Sequence, residues 1–73
     1  MERIISSYTH FGDKYTLIYK KNKYYWIKKH STHTQEWGAT IYGVKSTLKY
    51  RKFESNEAVE AELFKMELMD YGL

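Results

Sequence analysis

Apolar and polar positions along the chain fall into two regimes. Up to residue 53, β-branched and aromatic residues are packed into short stretches separated by turn formers: "RIISSYTHF" at 3–11 before "GDK", "YTLIYK" at 15–20 before "KNK", and "YYWIKKH" at 24–30. Such side chains suit a pleated, half-buried surface, so the pattern predicts antiparallel strands over about 3–11, 15–20 and 24–30 joined by tight turns. "STHTQEWG" at 31–38 has no apolar alternation and is rich in Ser, Thr and Gly, which predicts a loop. In "ATIYGVKSTLKYRKF" at 39–53, Val44, Ser46, Leu48 and Tyr50 alternate with Lys45, Thr47, Lys49 and Arg51. That period of two predicts one long strand, or two short ones, with a bend near Gly43.

After residue 54 the pattern changes. "SNEAVEAELFKMELMDYG" is built from Glu, Ala, Leu and Met and predicts a helix over about 56–70. Ser55 is its expected N-cap, Glu57 suits the first turn, and Gly72 is placed to end it. Val59, Leu63 and Met66 share the stripe expected to cover the sheet, while Ala61, Phe64, Leu68 and Tyr71 form a second one. The expected fold is α+β: a hairpin-rich antiparallel sheet of three to four strands packed against one C-terminal helix, in a single domain spanning 1–73.

Composition narrows the class. A 73-residue chain forms one small core, and with 18% aromatic residues that core is expected to be made of rings. The chain has no cysteine, which excludes a disulfide framework and a thiolate zinc site. No apolar run approaches the roughly 20 residues that span a bilayer, so the expectation is a cytoplasmic protein with no membrane partner. The net charge of +3 conceals a division. Residues 1–53 carry eleven Lys and Arg against three acids, a net +8, and residues 54–73 carry one Lys against six acids, a net −5. One basic and one acidic surface are expected.

Strand alternation divides 24–30 into Tyr24, Trp26, Lys28 and His30 on one face and Tyr25, Ile27 and Lys29 on the other. The first set is the more amphipathic and is assigned to the open face, with Tyr25 and Ile27 under the helix. Beside it stands the row Lys45, Thr47, Lys49 and Arg51. Cations that neutralise phosphates and rings that stack on bases make this an expected nucleic-acid surface, for DNA or RNA. The stretch "KYRKFESNEAVEAELF" is similar in style to the last strand and helix start of the arm-binding domains of tyrosine recombinases and of plant ethylene-response domains. Over those sixteen residues the resemblance implies a basic strand that reads DNA ahead of an Ala/Glu helix.

The competing expectation is a small phage or mobile-element protein that inhibits or modulates a host protein or defence complex. Trp37, Phe64, Leu68 and Tyr71 would then carry affinity, since aromatic residues dominate binding hot spots, and the outer helix face could serve a homodimer. A third expectation is a small RNase using His30 or His33 with Glu36 and Lys28, provided the 31–38 segment folds back over the sheet. "HSTH" has no second ligand pair nearby, so neither a metal site nor a cofactor is expected.

Overall fold

The computed structural model describes residues 2–70. Four strands, β1 (Arg3–His10), β2 (Asp13–Lys20), β3 (Lys23–His30) and β4 (His33–Ala39), form an antiparallel meander in the order β1-β2-β3-β4. Two helices follow, α1 (Ile41–Tyr50) and α2 (Asn56–Asp70). Each hairpin turns in two residues, closing on His10↔Asp13, Lys20↔Lys23 and His30↔His33. Phe11 and Gly12, and again Lys21 and Asn22, have positive φ, the left-handed geometry whose twist matches that of the flanking strands.

The fold is α+β as expected, with a second helix and a fourth strand placed where the pattern indicated otherwise. Residues 33–39 are an edge strand, not a loop. They are mostly exposed and are held by pairing to β3, which needs backbone groups and no apolar alternation. Residues 41–50 are a helix, not a bent strand. Val44 and Leu48, four apart, satisfy the helical and the strand period equally, and both are buried in the core. The Thr40 hydroxyl caps this helix by accepting from the Gly43 amide at 3.1 Å, so Gly43 marks a first turn and not a strand bend. The DNA-reading resemblance, which required a strand at 48–53, has no counterpart here.

The helix over 56–70 is present, and Ser55 caps it by accepting from the Ala58 amide at 3.4 Å. Of the stripe expected against the sheet, Val59 and Met66 are buried and Leu63 is partly so. Gly72 and Tyr71 lie outside the described residues.

The core lies between the helices and one face of the sheet. Leu17, Tyr24, Trp26 and the bulged Ile5 meet Val44, Leu48, Val59 and Met66. Rings fill its flank, where Tyr8 stacks on Tyr15 and meets Trp26 and Phe53 edge-on. The linker between the helices is tied to β1, the Glu54 amide donating to the Ser7 carbonyl at 2.8 Å and the Ser55 amide to the Ser6 hydroxyl at 3.1 Å.

Among the described residues the buried polar side chains are Ser6, Ser7 and, deepest, Glu62. Glu62, 2% exposed, accepts from the Tyr24 hydroxyl at 2.5 Å and pairs with Arg3 at 2.6 Å. A buried carboxylate is tolerated only with such partners. Glu62→Ala leaves the Tyr24 hydroxyl unpaired and is expected to cost about 2–3 kcal/mol in urea unfolding. Arg3→Ala leaves the buried Glu62 carboxylate without its charge partner and should cost about 3 kcal/mol, no less than the Glu62 substitution.

Burial, and after it the bond to Glu62, hold the Tyr24 proton well above the ordinary tyrosine range. The folded chain therefore binds that proton more tightly than the unfolded chain. The resulting stabilisation is complete below the ordinary pKa of about 10 and is lost as pH rises above it. Unfolding free energy should fall as pH climbs past about 10, and Tyr24→Phe should flatten that fall.

Candidate nucleic-acid interface

Register assigns every strand residue to a face. On the helix side lie the rows Tyr15↔Lys28↔Gln35, Leu17↔Trp26↔Trp37 and Tyr19↔Tyr24↔Ala39. On the other side lie Lys14↔Lys29↔Thr34, Thr16↔Ile27↔Glu36, Ile18↔Tyr25↔Gly38 and Lys20↔Lys23. The helices pack only on the first side, so the second is the open face.

This reverses the expected assignment. Tyr24 and Trp26, taken as surface rings, are 5% and 7% exposed beneath the helices. Tyr25 and Ile27, expected under the helix, stand half-buried on the open face. Tyr24 and Trp26 share their face with Leu17 in the apolar core, and the Glu62 acceptor satisfies the Tyr24 hydroxyl there. A glutamate on the same helical stripe as Val59 and Met66 was the sequence signal for it, because a carboxylate there requires a buried donor.

The other expected residues disperse. On α1, Lys45 and Lys49 share an outward stripe with Tyr42 and Tyr50, which are 81% and 82% exposed. Thr47 leaves that stripe and donates to the Gly43 carbonyl at 2.9 Å. Arg51 leaves it as well, donating to His10 Nδ1 at 3.3 Å and lying over the Tyr8 ring. Lys28 and His30 project beyond the helices and converge on Asp13, Lys28 at 3.4 Å and His30 through Nδ1. Trp37 meets Tyr15 edge-on at β4, whereas Phe64 and Leu68 are exposed on α2. The residues expected to bind a protein partner are thus split between elements. Glu36 faces the open side and pairs with Lys20 at 2.5 Å, so it does not join His30 in a catalytic trio.

What converges is a set the sequence pattern did not single out. Lys14 lies directly across from Lys29, and Lys20 directly across from Lys23. Opposed like charges on neighbouring strands are destabilising. Relief is partial: Lys20 has Glu36, and Lys14 has the exposed Glu54 at 3.7 Å. The six-residue separation of Lys14 and Lys20 sets the two pairs about 20 Å apart along the strands. Between them lie Thr16, Tyr25 and Ile27 around the fully buried Ile18, with the Tyr25 ring across the bare Gly38 and Lys20 Nζ 4.9 Å from its centre. Lys23 and Tyr25 also touch the rim of a concavity of about 480 Å³ that lies mainly on the helix side, against Tyr19, Tyr24, Ile41 and Met69.

Compared with family models, with curated proteins and with solved structures, the chain matches none. Among the described residues no helix is long and apolar enough to cross a membrane.

If the Lys14 and Lys29 pair is held against its own repulsion, Lys29→Glu should stabilise the fold by about 0.2–1 kcal/mol. Urea unfolding at low salt reads this directly, and the gain should shrink as salt is raised.

Proposed function

We propose that the protein binds nucleic acid through its phosphate backbone, along the open sheet face. The observation that carries this reading is the pair of opposed lysines at each end of β2 and β3. Lys14 and Lys29 grip the strand at one end, Lys20 and Lys23 at the other, and Thr16, Tyr25 and Ile27 contact what lies between. Like-charge rows with an apolar, ring-bearing centre suit a polyanion, since each phosphate neutralised releases counterions. Tyr25 supplies one stacking surface and no array of hydrogen-bonding side chains accompanies it, so the contact is sequence-tolerant and tracks the backbone. The acidic helix α2 lies across the sheet from this face, so its carboxylates do not compete for the four lysines. A protein partner is the weaker reading, because Trp37 and the Phe64–Leu68 pair do not form one patch.

Gel retardation tests the reading with duplex and single-stranded oligonucleotides. The wild-type protein should retard both at about 50 mM salt. Substituting Lys23→Glu together with Lys29→Glu should weaken binding by more than about tenfold and reduce the slope of log affinity against log salt by about 1.5. No retardation by the wild type at low salt, or a double variant that binds as well as the wild type, would contradict it.

A further inference from the structure

The end of the sheet that carries Lys14 and Lys29 also carries a row of titratable groups on its helix side. The hairpin closures place His10 opposite Asp13 and His30 opposite His33, and the contact between Asp13 and His30 Nδ1 joins the two halves across β2 and β3. Because the β3–β4 turn has only two residues, His30 and His33 stand in direct cross-strand opposition. With Lys28 and Gln35, from the adjacent row, they border a shallow cleft of about 210 Å³.

We propose that this cleft cleaves single-stranded RNA by attack of a ribose 2′-hydroxyl on the adjacent phosphodiester. This inference rests on the nucleic-acid reading and narrows its substrate to RNA. His30 is the base. The Asp13 carboxylate accepts from its Nδ1–H, which fixes the tautomer and leaves the Nε2 lone pair for the 2′-hydroxyl proton. Asp13 stays ionised at neutral pH, since the hydrogen bond to His30, then the charge on His30 and then that of Lys28 hold its carboxyl below the usual range. As the O2′–P bond forms, the P–O5′ bond breaks, and the departing 5′-oxygen takes a proton from protonated His33. The products are a 2′,3′-cyclic phosphate end and a 5′-hydroxyl end. His30 is left protonated and His33 neutral, and exchange of these protons with water restores the site. Lys28, beside the cleft, offsets charge building on the non-bridging oxygens.

Access follows from the chain itself. Lys14 follows Asp13 and Lys29 precedes His30 in sequence, so a strand held by those lysines on the open face reaches the cleft by rounding the hairpin ends.

The test uses three labelled oligonucleotides of one sequence: all RNA, all DNA, and DNA with a single ribose. The wild-type protein should cut the RNA, cut the chimera only after its ribose to leave a cyclic phosphate, and leave the DNA intact though retarded. His30→Ala and His33→Ala should each slow cleavage by about 10²-fold or more, while duplex DNA is still retarded, which reports that the variants fold. Asp13 acts as a positioning residue. The groups facing the two histidines are Asp13 from β2 and Lys28 from β3, with His10 of β1 and its partner Arg51 next along the row. Asp13→Asn should slow cleavage at unchanged retardation of the DNA, and Asp13→Glu, which restores the acceptor for His30, should recover part of the rate. RNA that is retarded but uncut by the wild type, or cleavage that survives both alanine substitutions, overturns this inference and leaves the binding reading standing. Failure to retard any of the three overturns both.

Discussion

Glu62 occupies the apolar stripe of α2, and its burial is compatible only with the face of the sheet that supplies its donors. A carboxylate taken out of water must find donors, and the Tyr24 hydroxyl on β3 and the Arg3 guanidinium on β1 supply them. Those two strands are separated by β2, so the contact fixes α2 across the sheet and not merely against its edge. With Tyr24 committed to the core, strand alternation commits Trp26 with it and turns Tyr25, Ile27 and Lys29 outward. The lysines at positions 14, 20, 23 and 29 are then left together on the open side.

The open face carries unrelieved charge repulsion. Neighbouring strands place like charges in opposition at both ends, and the carboxylates within reach, Glu36 and Glu54, neutralise only one member of each pair. Most of the acids lie instead on α2 and its approach, with Glu57, Glu60, Glu62 and Glu67 on the helix itself. The charge division along the chain becomes only partly a division in space, because Lys45, Lys49 and Arg51 lie on or next to α1 in the same layer as α2, and Arg3 and Lys14 reach Glu62 and Glu54. A polyanion seated on the open face would relieve a repulsion that the isolated protein carries.

Much of the architecture was legible in the chain. The first three strands, the C-terminal helix and its Ser55 cap follow from local composition and period. Residues 33–39 were not legible because an exposed edge strand is held by backbone pairing that leaves no apolar signature. Residues 41–50 were misleading because Ile, Val, Thr, Tyr and Gly are weak helix formers, while Val44 and Leu48 fit either period; packing of those two against the sheet overrode propensity. The site was less legible than the fold. Tyr24 and Trp26 were displaced from it by one long-range acceptor, and the opposed lysine pairs exist only once the register is known. Lys28 and His30 went with Tyr24 and Trp26 to the helix side of the sheet, where they meet Asp13 and not Glu36.

The account depends on which face meets the ligand, and amide chemical-shift mapping of isotope-labelled protein titrated with a short oligonucleotide reads that most directly. The account predicts that the largest changes cluster at Lys14, Thr16, Lys23, Tyr25, Ile27 and Lys29. Changes concentrated on Tyr42, Lys45, Lys49 and Tyr50 of α1, with the sheet undisturbed, would contradict it.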